Sequence, residues 1–198
     1  MITKTSRHFQ QQVLAQLSFT PHLFDDYTVY KNDACPELGF FIKYSREKYY
    51  EFTIGDYSIP HDFALCFNHE EELMRFGTVY MGETEFEIED HPVSSFTPSS
   101  FLVIEKNLKG RQVWRKGKHY HGAEITIYKA YIDEIIRPLF PKSIHFDDFL
   151  SNHTYHYLPI GITTIIQTLL CASESNTLTP LYLESKILEA LALLYESF

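Results

Sequence analysis

Two hydrophobic periods divide the chain. Between about residues 26 and 130, short alternating or apolar runs follow one another: DYTVYK, ELGFFIKY, YYEFTIG, DFALCFN, ELMRFGTVY, ETEFEIED, SFLVIEK, RQVWRKG and HGAEITIYKA. Period-two alternation places successive side chains on opposite faces of a pleated strand. Turn residues punctuate the runs at Asn32-Asp33, Gly55-Asp56, Met81-Gly82, Pro92, Pro98-Ser99 and Lys109-Gly110. About nine strands at roughly ten-residue intervals predict an all-β sandwich or barrel. The best local hairpin is RFGTVYMGETEFEIED. There Phe76, Thr78 and Tyr80 alternate against Gly77 and Val79, and Gly82 tolerates positive φ. Beyond it, Thr84, Phe86 and Ile88 alternate against Glu85, Glu87 and Glu89, a strand with one wet, acidic face.

The period is helical on either side of this region. Phe9, Val13, Leu14 and Leu17 share one face of a short amphipathic helix or flexible lead-in. After residue 130, AYIDEIIRPLF predicts a short helix ending near Pro138, and FDDFL a further helical turn. Ile162, Ile165, Ile166, Leu169 and Leu170 follow helical spacing. A polar connector, SESNTLTP, leads to Thr179 as a cap and Pro180 as the first residue of the last helix. That helix carries Leu183, Ile187, Leu191, Leu194 and Phe198 in one stripe, widened by Leu188, Leu193 and Tyr195. An arc this wide is expected to pack on its own domain as well as on a partner. The helix is still apolar at Phe198, which reads as a chain cut from something longer or as an end buried in a partner. The expected organisation is an N-terminal arm or short helix over 1–25, an antiparallel β-barrel over 26–130 and a helical dimerisation element over 131–198, an α+β fold.

Composition narrows the partners. Lys and Arg number 17 against 26 Asp and Glu, a formal charge of −9. So acidic a surface repels nucleic-acid phosphates and anionic membranes. Cys35, Cys66 and Cys171 are far apart, and no C-x-x-C occurs. They read as small buried side chains in the reducing compartment of a cytoplasmic protein rather than a disulfide framework or zinc site. The start of the chain has no apolar leader core, and no run approaches the ~18 apolar residues of a membrane span. Aromatic residues make up 16%, which favours pleated, half-buried surfaces.

Candidate chemistry is sparse. His119 and His121 fall on the same face of a strand, so two imidazoles could share a metal. Barrels of the cupin type follow an H-x-H with a Glu after three or four intervening residues. Here only Gly122 and Ala123 precede Glu124, which strand parity turns to the opposite face. Histidines at the barrel mouth or contacting a ligand are the competing reading. Trp114, the single tryptophan, could stack on a flat ligand or serve as a core aromatic. Arg75, in an otherwise apolar strand, could reach into a barrel toward an anionic ligand or make an edge salt bridge. The run His69-Glu70-Glu71-Glu72 reads as a solvated turn rather than a cation site. G-x-S-x-G, Walker A, G-x-G-x-x-G and H-E-x-x-H are all missing, so no catalytic residue and no cofactor is expected.

A β-region followed by a helix with Leu183, Glu184, Lys186, Leu188, Glu189 and Leu191 resembles the N-terminal part of AraC/XylS-family transcription regulators. The likeness is greatest to the branch that includes siderophore-responsive members. The segment Tyr80-Met81-Gly82-Glu83-Thr84 and the strand SFLVIEK resemble that family's barrel, and the likeness spans roughly residues 60–198. The family's paired helix-turn-helix region is absent. The resemblance implies a cupin-like barrel that senses a small-molecule effector, homodimerisation through the helices, and DNA contact only through a domain not in this chain. On that basis Arg75, Tyr80, Trp114, His119 and His121 are the expected ligand contacts, and Leu183, Ile187, Leu191 and Leu194 the expected dimer contacts. The competing function is a stand-alone cupin enzyme using a metal at His119 and His121.

Overall fold

In a computed structural model, residues 2–89, 94–96, 98–140, 146 and 158–197 are described. Strand β1 (Ile2–Thr3) is followed by helix α1 (Ser6–Gln16). Thr5 caps α1 by accepting a hydrogen bond from the His8 amide at 3.1 Å. The apolar face read from the sequence does form: Val13, Leu14 and Leu17 are buried.

The strands that follow are β2 (Thr20–Leu23), β3 (Thr28–Lys31), β4 (Gly39–Arg46), β5 (Tyr50–Ser58), β6 (Phe63–Met81), β7 (Thr84–Ile88), β8 (Ser94–Phe96), β9 (Ser99–Trp114) and β10 (His119–Tyr128). They form one sheet in the order β2-β3-β4-β5-β10-β6-β9-β7-β8, antiparallel throughout, with β1 added parallel to β6. The ladder does not close on itself among the described residues. A helical stretch over 129–139, α2, contains a π-helical turn at Ile132–Ile136. Helices α3 (Ile160–Glu174) and α4 (Pro180–Ser197) complete the order. The expected helical turn at FDDFL lies outside the described residues, apart from the buried Phe146.

The structure differs from the sequence reading in how the runs join. DFALCFN and ELMRFGTVY form one strand, β6, so His69-Glu70-Glu71-Glu72 is not a solvated turn. The register with β9 shifts between His69 and Glu72, which marks a β-bulge. Asn107 of β9, opposite this bulge, adopts positive φ, 53°. Gly55-Asp56 and Lys109-Gly110 also lie inside strands. Gly110 is needed for close approach: a Cβ there would stand 2.2 Å from the Glu87 carbonyl of the neighbouring strand. Gly82 does adopt positive φ, 131°. The strands on either side of it do not form a hairpin ladder, however. β6 pairs with β9 and β10, and β7 pairs with β8 and β9.

The two faces of the sheet carry different loads. Phe52 and Ile54 of β5, Met74 and Phe76 of β6, and Ile125 and Ile127 of β10 pack beneath α2, α3 and α4 in the main core. The opposite face is covered by α1, through a second cluster that includes Val13, Leu14, Leu17, Tyr57 and Trp114. Where both faces are covered, alternation no longer separates core from solvent.

The cap of α4 forms as read: the Tyr182 amide donates to Thr179 Oγ1 at 3.3 Å, with Pro180 opening the helix. Thr179→Ala is expected to lower unfolding stability by about 1 kcal/mol. An unchanged urea midpoint would show that the cap contributes nothing.

Candidate functional site

Between the sheet and α1 lies a cavity of about 750 Å³, within the range of small-molecule sites. Alternate residues of β5 and β10 supply one wall: Glu51, Thr53 and Tyr57, with Tyr120, Glu124 and Thr126. β6 and β9 supply Phe67, His69, Arg75, Glu105 and Trp114, and α1 closes the top with Ser6, Phe9 and Val13. Thr84, Phe86 and Ile88 of β7 also line it, on the side away from the three glutamates of that strand.

A charged cluster occupies this interior. Arg75 Nη2 stands 3.3 Å from Glu105 Oε1, and Arg75 Nε 3.8 Å from Glu124 Oε1. Its one close hydrogen bond is donated to Ser6 Oγ at 2.5 Å, while Nε is buried without a hydrogen-bond partner. Buried donors left in that state are uncommon and costly. His69 links the cluster to the N-terminus: Nδ1 is 3.6 Å from Glu105 Oε2, and Nε2 is 3.3 Å from Thr3 Oγ1. Glu51 is held by Arg7 Nε at 2.8 Å and faces Lys43 Nζ at 3.8 Å.

The environment sorts the carboxyls. Burial pushes Glu124 above the ordinary carboxylate range. Arg75 opposes this only in part, and the charges of Glu105 and Glu51 reinforce it. Burial acts on Glu105 in the same direction, but there Arg75 and His69 outweigh it and hold the carboxyl low. Burial works against the Arg75 charge as well, yet Glu105 and Glu124 raise its pKa. Tyr57 and Tyr120 are pushed up, by burial and then by Glu124, so both phenols keep their protons.

The sequence of residues 51–198 matches the family described as the regulatory protein PchR N-terminal domain. This chain belongs to that family. PchR is an AraC-type regulator, so the match agrees with the resemblance read from the sequence. A search of curated proteins returns no match. Solved structures with similar strand arrangements include a cupin-family protein from Methanocaldococcus jannaschii, at 8% identity and TM-score 0.31, covering 43% of this chain and 75% of that one. A cupin-2 domain from Rhodospirillum rubrum matches at 12% identity and TM-score 0.32, covering 67% and 93%. A variant of Bacillus subtilis oxalate decarboxylase matches at 8% identity and TM-score 0.29, covering 69% of this chain and 38% of the decarboxylase.

In this member of the PchR family, the five residues expected to contact ligand separate into two groups. Arg75 and Trp114 line the cavity. Tyr80, His119 and His121 do not: strand parity turns them to the helix-bearing face. Tyr80 donates to Gln167 Oε1 of α3 at 2.9 Å, and its ring lies 5.2 Å from that of His121. His119 has both ring nitrogens engaged, with Asp56 Oδ1 at 2.7 Å and Ser58 Oγ at 3.0 Å. His121 Nδ1 is 3.5 Å from the other Asp56 oxygen. Among the described residues no group of three His, Cys, Asp or Glu side chains is arranged for a metal.

The residues expected as dimer contacts are buried within the chain. Leu183, Ile187, Leu191 and Leu194 are at most 3% exposed and belong to the domain's own core. The large apolar residues that α4 leaves exposed are Leu181, Leu188 and Tyr195, at 81%, 41% and 46% exposure. Exposed Ser185 and Ala192 fall between them, at alternating steps of four and three residues. That is the spacing of a coiled-coil seam. Among the described residues no helix is long and apolar enough to cross a membrane.

Glu51, His69, Glu105 and Glu124 were not among the expected ligand contacts. For Glu51 the sequence signal is a lone carboxylate inside an otherwise uncharged run, YYEFTIG; His69, in the run His69-Glu70-Glu71-Glu72, and Glu105, beside Lys106, carry no such signal.

Proposed function

We propose that this chain is the effector-sensing and dimerisation domain of a cytoplasmic AraC-type transcription regulator, and that it is not an enzyme. The observation that carries this reading is the cavity between the sheet and α1, lined by the charged cluster of Arg75, Glu105 and Glu124. The other face of the same strands bears the C-terminal helices. A small molecule entering the cavity would bias how those helices are presented. DNA contact belongs to a separate DNA-binding half, since the surface here is acidic.

Dimerisation is assigned to the exposed seam Leu181, Leu188 and Tyr195 of α4. Leu188→Glu is expected to convert dimers to monomers while leaving the melting transition of the monomer within a few degrees. Sedimentation equilibrium of both proteins checks this. A wild-type protein that stays monomeric at high concentration would overturn the dimer assignment.

A further inference from the structure

We propose that the cavity takes an uncharged ligand held through a hydroxyl group, seated against the phenols of Tyr57 and Tyr120 and the carboxyl of Glu124. This rests on the effector-sensing reading and names the class of effector.

Consecutive steps of one ladder build the seat. Across β5 and β10, Tyr57 faces Tyr120, Gly55 faces Gly122 and Thr53 faces Glu124. The two phenol rings stack with their centres 5.2 Å apart, and they lie along the sheet over the glycine step. A Cβ at Gly55 would stand 2.9 Å from both rings, and one at Gly122 would stand 2.9 Å from the Tyr120 hydroxyl. The glycines thus let the rings lie down and carry their hydroxyls toward Glu124. Neither hydroxyl has a hydrogen-bond partner among the described residues, and unlike Arg75 Nε neither is sealed from the cavity. Tyr57 is only 6% exposed, so its free oxygen opens on the cavity and not on bulk solvent. Buried polar groups are ordinarily hydrogen-bonded. Glu124, on the same wall, keeps 23% of its side chain accessible.

The charges around the seat are already engaged with one another. Arg7 and Lys43 stand against Glu51 at 2.8 and 3.8 Å. Arg75 lies between Glu105 and Glu124, at 3.3 and 3.8 Å, and His69 is 3.6 Å from Glu105. Glu71 accepts from the Ser6 amide at 2.6 Å. An ion of either sign would have to draw a partner out of this set and shed its own hydration. An uncharged group displaces none of these contacts. Both phenols keep their protons and donate, so the ligand atom between them accepts. A hydroxyl oxygen accepts hydrogen bonds and also donates one. It serves either state of Glu124, donating to the carboxylate or accepting from the acid. A ketone or ether oxygen only accepts, and would leave an ionised Glu124 without a donor. The body of the ligand meets an aromatic wall, where Phe9 stands 5.5 Å from Phe67 and 5.8 Å from Trp114 between ring centres.

Trp114 is the single tryptophan and stands in that wall, so its fluorescence reports occupancy. The wild-type chain is titrated with 2-phenylethanol, phenylacetate and 2-phenylethylamine, which share one shape, and with ethylbenzene, which lacks the polar group. The alcohol is expected to bind at least about tenfold more tightly than either ion. Tyr57→Phe and Tyr120→Phe keep the ring stack. Each should weaken binding of 2-phenylethanol about two- to tenfold and leave that of ethylbenzene unchanged. Calorimetry on the same samples counts sites independently of fluorescence. An ion that binds as well as the alcohol overturns the uncharged class and leaves effector sensing standing. So does an alcohol-to-ethylbenzene affinity ratio that neither phenylalanine variant changes. Binding by none of the probes at millimolar concentration, by either readout, overturns this inference and counts against the sensing reading as well.

Discussion

Replacing Leu191 with alanine is expected to cost the fold about 2–5 kcal/mol, the usual range for a fully buried leucine. Leu191 is 2% exposed and sits on α4 between the helix pair and the sheet, in the same core as Phe52, Phe76 and Ile125. The deficit should not depend on protein concentration, because the lost contacts are internal to one chain. Leu188, three residues earlier on the helix, is expected to behave in the opposite manner, with self-association changed and monomer stability kept. Urea unfolding of the two variants at several concentrations separates the roles. If Leu191→Ala lost stability only at low concentration, the buried stripe would be the dimer seam after all.

The second large effect is expected at Arg75. Substitution by methionine keeps the apolar stem but removes the cation between Glu105 and Glu124. Breaking a buried ion cluster on one side typically costs about 3–5 kcal/mol, because the remaining charge has no counter-ion. Glu105, only 4% exposed, is the residue most affected. In the wild type its carboxyl is held low, so its contribution to stability is present above the ordinary Glu value and is lost as pH falls through the folded value. Glu124 acts in the reverse sense: its raised carboxyl lowers stability as pH rises from the ordinary Glu value through the folded one. Without Arg75, burial is opposed only by His69 at Glu105 and by the Thr53 hydrogen bond at Glu124, and both carboxyls should bind protons at higher pH than before. The deficit of Arg75→Met should therefore be large near pH 7 and shrink toward pH 5. Equal deficits at the two pH values would show that lost packing, rather than stranded charge, dominates.

A joint between sheet and helices links these two regions. Arg46, Tyr50 and Tyr131 all donate to the Glu184 carboxylate of α4, at 2.6, 3.1 and 3.2 Å. Tyr50 lies on β5 immediately before Glu51, which lines the cavity.

Much of the local structure was legible in the amino-acid order. The change from period two to period 3.6 near residue 130, the Thr179 cap, the apolar face of α1 and the opposite facing of Glu124 and His119/His121 all follow from backbone geometry. Such geometry depends only on neighbours in the chain. The chain's acidity likewise needs no structure. Three features were decided by the tertiary fold. The run around His69 was absorbed into β6 as a bulge, because β9 continues the ladder past it. The apolar arc of α4 was split into a buried side and an exposed seam by where the sheet lies. Glu51, Glu105 and Glu124 came to face a partly covered cavity instead of open surface, because α1 folds back over their side of the sheet. A period fixes which residues share a face, but only long-range packing determines what that face meets.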